Sequence, residues 1–381
     1  MRKLFLMILL AMLILGGCTV GKGSGVFPPE SDITAHPPMS GLDDGRDYRI
    51  LIANGLGETI TLVERKNGTW SSDGDVMETG QSPNQLAYFH GLCYIVNSLS
   101  NSVQVFDPDT FETVREISIG FGTNPMNIAF IDETRTLVSC HLTNEIVVID
   151  ISGDAVSDRI FKRIPMPDSE SLPHDEGVTT YARPGGIEVI GNTAYVACEN
   201  LDVFSTAGGP GIVAVIDLDL LEVENIFEMT GRNTSQLLYS SRFPERLIVM
   251  SAGDYEGVIG YVGNGTVESI DLGSGEIFQS IDVDGAPISG VIGEDDILHL
   301  ENAREAKVIR VDLRTGVELG GYTLPSYGEQ FSFASSILSL PGLLLVTNFN
   351  SDRMHVIDPS NGVMLAELGT GDGPDAMVAI E

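Results

Sequence analysis

The sequence predicts an all-β, seven-bladed propeller in which the C-terminal strand completes the N-terminal blade. Three observations predict it: a short apolar strand ending in an acidic residue recurs seven times, each copy carries the same companion strands, and the folded part starts and stops out of phase with the repeat. Most intervals between copies fall in the forties, the period of a four-stranded propeller blade.

The recurring strand reads ITLVE to Glu64, VQVFD to Asp107, IVVID to Asp150, VAVID to Asp217, VESID to Asp271, VIRVD to Asp312 and MHVID to Asp358. A preceding strand accompanies each copy: LIAN (51–54), YIVN (94–97), LVSC (137–140), YVAC (195–198), LIVM (247–250), ILHL (297–300) and LVTN (345–348). After the acid comes a turn rich in Pro, Gly, Ser and Thr and then a third strand, as in DPDTFETVREISI or DLRTGVELGGYTL. An aspartate at that point accepts backbone N–H bonds inside the reversing turn, so these acids are read as structural.

A fourth strand, often opened by proline, closes each unit: SPNQLAYF (82–89), NPMNIAFI (124–131), RPGGIEVI (183–190), NTSQLLYS (233–240), APISGVIG (286–293), GEQFSFAS (328–335) and GPDAMVAI (373–380). Nearly continuous apolar strands suit sheets covered on both faces. The folded part opens at DYRILIAN, a second strand, and ends at GPDAMVAIE, a first strand. The tail is therefore expected to dock beside the head, which removes open sheet edges.

YIVN, LVTN, LIAN and the VID-turn pattern resemble the YVTN-repeat β-propellers, a superfamily of secreted or surface proteins. The resemblance spans 48–381, while LIVM and ILHL depart from the pattern. It implies a propeller of a binding or surface-layer-like kind; structurally related propellers include lactonases and quinoprotein-type dehydrogenases.

The N-terminus, MRKLFLMILLAMLILGGC, places Arg2 and Lys3 before an apolar run, the order of an export signal and too short for a spanning helix. Leu15-Gly16-Gly17-Cys18 resembles the lipobox of bacterial lipoproteins, which implies a signal peptide over 1–17 and a lipidated Cys18. Residues 18–47 are rich in Gly, Pro, Ser and Asp and read as that cysteine plus a flexible tether, followed by the propeller over 48–381. The expected location is the cell envelope, with the membrane reached through the lipid on Cys18.

Formal net charge is −33, from 54 acidic against 21 basic residues, a field that repels phosphate backbones and argues against nucleic acid as a partner. Cys93, Cys140 and Cys198 are odd in number, and Cys140 and Cys198 occupy equivalent places one blade apart, too far for a disulfide, so buried free thiols are expected.

Binding sites on propellers lie on the face bearing the loops between blades, where this chain places three insertions: 163–186, 198–211 and 251–265. Their polar members include His174, Arg183, Glu199, Asp254 and Tyr255. Two residues after each strand-opening proline, Gln85, Asn127, Gly186, Gln236, Ser289, Gln330 and Ala376 form a second expected set, a ring at the channel mouth without an ionisable member. Such a ring suits hydrogen bonding of a neutral ligand, although small polar residues filling a wet channel explain it equally well. It disfavours carboxylate ligation of a divalent cation and general acid-base chemistry. His141, His299 and His355 lack a partner histidine at zinc-ligand spacing.

The expected function is a ligand-binding or protein-binding module at the envelope, using the insertion-bearing face and needing no cofactor. A lactonase-like hydrolase or a quinoprotein-type oxidoreductase is the enzymatic alternative, and a surface-layer component is the structural one.

Overall fold

The computed structural model describes residues 46–152, 160–257, 260–293, 296–328 and 332–380. The expected signal segment, Cys18 and nearly all of the tether lie outside the described residues. The repeats become antiparallel sheets in a propeller-like all-β arrangement. Four-stranded sheets are built from Pro83–Phe89 to Thr113–Ser118, Pro125–Phe130 to Ile160–Pro165, Pro184–Ile190 to Glu222–Glu228, and Thr234–Tyr239 to Ile277–Asp284. A fifth joins Tyr48–Asn54, Thr59–Lys66 and Thr69–Glu78 to the C-terminal strand Pro374–Ile380.

That last pairing sets Ile52 opposite Met377 and Ala53 opposite Ala376, so the tail does lie beside the head. Pro287–Ile292 to Val317–Thr323 and Ala334–Leu340 to Met364–Gly369 differ from the expected pair of separate sheets. They form one eight-stranded sheet, joined through the single pair Asn302 and Ala334.

The innermost strands follow one another around an axis. Pro83–Phe89 neighbours Pro125–Phe130, then come Pro184–Ile190, Thr234–Tyr239, Pro287–Ile292, Ala334–Leu340 and Pro374–Ile380, which returns to Pro83–Phe89. A bulge two residues from the start recurs in most of them, as between Pro83 and Gln85 or Pro125 and Asn127. One strand departs from expectation: the inner strand of the last unit runs Ala334–Leu340, not 328–335. It has no proline at its start; the Pro341-Gly342 turn, with Gly342 at φ 70°, fixes its register from the other end. Ser336 therefore takes the position expected of Gln330, which lies outside the described residues.

The core is a series of layers between adjacent sheets. Val96, Val103 and Val105 pack on Val138, Val147 and Ile149, whereas Leu137, Ile146 and Val148 face Ile187, Val196 and Ala214 of the next sheet. Alternate residues of one strand thus bury against different neighbours, which is why these strands carry so few polar residues. Each fully buried Val, Leu or Ile contributes about 1.5–3 kcal/mol.

The repeated aspartates work as expected. Asp107, Asp150, Asp217, Asp271, Asp312 and Asp358 each accept the N–H two residues on, at 2.7–3.0 Å. Glu64, one methylene longer, pairs instead with Lys66 at 2.9 Å. Cys93, Cys140 and Cys198 are buried free thiols, and burial pushes the Cys93 and Cys140 thiols up to about 12.

Candidate functional site at the axial rim

One hydrogen bond recurs around the axis. The residue after each second strand donates its N–H to the carbonyl of the residue before the inner strand: Ser98 to Ser82, His141 to Asn124, Glu199 to Arg183, Ala252 to Asn233, Ala303 to Ala286, Phe349 to Phe333 and Gly55 to Gly373, at 2.7–3.2 Å. Ser82, Asn124, Arg183 and Asn233 hold φ of 50–61° there. For residues with a Cβ that conformation is uncommon, and here the paired carbonyl and N–H fix it.

The rim so formed has two halves. Ser82, Asn124, His141, Arg183, Glu199 and Asn233 make a polar arc. Ala286, Ala303 and the stacked pair Phe333 and Phe349, with ring centroids 5.0 Å apart, make an apolar one.

Within the polar arc, His141 Nε2 lies 3.0 Å from Glu199 Oε2. Arg183 donates through Nη1 to the carbonyls of His141 and Leu142, at 3.2 and 3.3 Å. Its guanidinium stands 4.9 Å from the centroid of the Tyr181 ring. Burial lowers the Arg183 pKa, and the charge of Glu199 opposes that shift. Burial, then the Glu199 charge, raises the Tyr261 phenol, while a hydrogen bond with Asn233 acts the other way. His141, Arg183, Glu199, Asn233 and Tyr261 thus form one electrostatic group.

The three insertions meet beside it. Asp175 donates its N–H to the Gly208 carbonyl at 2.7 Å, and Asn200 Nδ2 donates to the Pro173 carbonyl at 2.6 Å. Arg232 then clasps all three, with Nη2 2.8 Å from Asp175 Oδ2 and 2.6 Å from the Ala207 carbonyl, and Nε 2.9 Å from Asp254 Oδ1. The hydrogen bond from Arg232 is the main reason that the Asp175 carboxyl is held below its ordinary value.

Of the residues expected from sequence, Arg183 and Glu199 are brought together at the rim. Asp254 is engaged by Arg232, with Asn264 bonded to it at 2.9 Å, and Tyr255 stands edge-on to Tyr261 at 5.2 Å. His174 is exposed, its Nδ1 held 2.9 Å from the Leu172 carbonyl of its own loop. The ring is less uniform than expected. Gln236 Oε1 accepts the Leu237 N–H at 3.0 Å, and a side chain at Gly186 would overlap the Gln236 amide. The Asn127 N–H is taken by Ser139 Oγ at 3.0 Å, and Gln85 is half-buried.

The absence of ionisable side chains holds only for that layer and needs correction for its surroundings. Asp375 lies one residue before Ala376, and Glu301, 6% exposed, is hydrogen-bonded by Ser289 and the Ile337 N–H. Burial raises both, Asp375 to about 7, and the Asp375 charge raises Glu301 further. Burial also raises Glu188, on an inner strand, to about 7.

His141 was missed because it has no histidine partner at ligand spacing. Its signal lay in the repeat itself: VSCH and VACE place His141 and Glu199 in the same slot of consecutive units, and neighbouring units put such slots side by side. Arg232 and Asn124 had no comparable signal.

Inner strands arranged around an axis, with loops gathered at one rim, define a β-propeller-like protein. Solved structures agree on this fold. A candidate 6-phosphogluconolactonase from Bacteroides fragilis superposes with TM-score 0.64 at 13% identity, covering 91% of this chain and 100% of that one. Hydrazine synthase from Kuenenia stuttgartiensis gives 0.60 at 16%, covering 77% and 88%. A catalytically inactive virginiamycin B lyase from Staphylococcus aureus with quinupristin gives 0.54 at 15%, covering 74% and 83%. At these identities the likeness concerns the fold alone. Neither a family model nor a curated protein matches the sequence.

Proposed function

We propose that this protein is a lipid-anchored, seven-bladed propeller of the cell envelope that recognises a small polar ligand, or a polar group of a larger partner, at the Asn124–His141–Arg183–Glu199 arc. The single-pair junction between Asn302 and Ala334 supports counting the eight-stranded sheet as two blades. The YVTN-like strand ends at Asn54, Asn97 and Asn348 support the family resemblance, and the lipobox-like Cys18 supports the anchor. One observation carries the binding reading: the 3.0 Å contact of His141 with Glu199, beside a buried Arg183 and under a lobe clasped by Arg232. Polar groups held in fixed positions are what orients a ligand in a binding site.

The His141–Glu199 contact also favours a second reading, an enzyme in which the imidazole is the proton acceptor and the carboxylate orients it. Propeller neighbours named as a lactonase candidate and a lyase belong to that class.

The test is native mass spectrometry of the full chain purified from its own membranes, beside Arg183→Ala. A co-purifying mass that the variant loses is expected. An empty wild-type protein that turns over a lactone would sink the recognition reading in favour of the enzyme. Acyl-modified Cys18 in the same spectrum tests the anchor.

A further inference from the structure

We infer that the ligand of this arc is a neutral, hydroxyl-rich molecule of saccharide or polyol type, an inference that rests on the recognition reading above. Among the described residues, Asn124 Oδ1 and Nδ2, His141 Nδ1 and Arg183 Nε have no hydrogen-bond partner. These residues are only 2, 6 and 8% exposed. A buried polar group left unpaired costs about 1–3 kcal/mol, so several of them together call for an occupant.

Asn124 and Arg183 both bond to the His141 main chain. The Asn124 carbonyl accepts its N–H at 3.1 Å, and Arg183 Nη1 donates to its carbonyl at 3.2 Å.

The roles of the free atoms select the class. A carboxylate accepts, so His141 Nε2 donates to Glu199, and in the imidazole tautomer that carries its one proton there Nδ1 is an acceptor. The Asn124 amide offers a donor beside an acceptor, and Arg183 Nε a donor. Adjacent hydroxyls satisfy all of these, because each hydroxyl both gives and takes. An anion without a hydroxyl, such as propane-1,2,3-tricarboxylate, has no hydrogen for Nδ1; a protonated polyamine has no lone pair for Arg183.

Net charge is not called for, since Glu199 already offsets Arg183. Tyr181, 40% exposed, and the Tyr255–Tyr261 pair add aromatic surface of the kind that accompanies sparse polar contacts in ligand sites.

The test uses the full chain in detergent with maltohexaose, cellohexaose and hexa-N-acetylchitohexaose as probes, and propane-1,2,3-tricarboxylate and spermidine as charged controls, read by calorimetry and saturation-transfer NMR. At least one oligosaccharide is expected to bind and neither control to do so. Asn124→Ala and His141→Ala are each expected to weaken binding about tenfold. The nitrogen resonance of His141 Nδ1 in the unmutated protein is expected to move at saturation, a readout independent of how the variants fold. Binding of a control alone would overturn the hydroxyl assignment and leave recognition standing. Silence of every oligosaccharide would overturn the inference, while the co-purified mass judges the recognition reading on its own.

Discussion

His141 Nε2 lies 3.0 Å from Glu199 Oε2, a contact that bridges two neighbouring sheets at equivalent points of the repeat. Neither residue is near the other in sequence, and among the described residues no strand pairing joins their sheets. The contact exists because the rim hydrogen bond fixes both backbones in the same way. What it supports can be measured.

Removing Glu199 should leave two orphans. In Glu199→Ala the buried His141 ring loses its acceptor and Arg183 loses its nearest compensating charge, so a loss of about 1–3 kcal/mol is expected. Urea unfolding of the two proteins measures it. A change below about 0.5 kcal/mol would mean that the pair is dispensable to the rim.

Arg232 should matter locally, not globally. Its partners Asp175 and Asp254 are about half exposed, and ion pairs of that kind contribute at most about 1 kcal/mol. Arg232→Ala is therefore expected to shift the unfolding midpoint little. Hydrogen exchange should nonetheless rise in all three insertions, and exchange that rises in only one would contradict the clasp.

Acidification should act through His355. Burial first of all depresses this imidazole from 6.5 to about 4, with Glu367 opposing and Arg353 assisting. The unfolded chain therefore binds more protons between those values, and stability present above pH 6.5 is lost as pH falls toward 4. His355→Gln should flatten that part of the profile.

Asp375 has the opposite sign. Burial raises it from 3.8 to about 7, so the folded state holds the extra proton and stability falls as pH rises from about 4 to 7. Asp375→Asn should remove that decline. Unchanged profiles in both variants, followed by pH-dependent denaturation, would refute the assignments.

Closure should be indispensable. Pro374–Ile380 supplies the inner partner of Tyr48–Asn54, so a chain ending at Gly373 exposes a hydrophobic sheet edge. Light scattering is expected to show aggregation of the truncated chain, and a monodisperse monomer would show that the ring holds without its seam.

Much of this architecture is legible in residue order because it is periodic. The turn aspartates, the companion strands and the docking of Pro374–Ile380 beside Tyr48–Asn54 all follow from counting units. The misplaced inner strand at 328–335 marks the limit of that method: where the proline was absent, the turn at Pro341-Gly342 set the register instead.

The rim is legible only in part. Arg183 and Glu199 stood out as polar residues in insertions, whereas His141 was set aside for want of a nearby histidine and Arg232 went unnoticed.

The sequence by itself determined the fold, because each unit contains its own strands and turns, and local hydrogen bonds and alternating burial act within a few residues. Only the tertiary structure decided the site. Its chemistry depends on which side chains from different units come within 3 Å of one another, and on how far burial strips them of water. Both are properties of the closed ring and not of any single repeat.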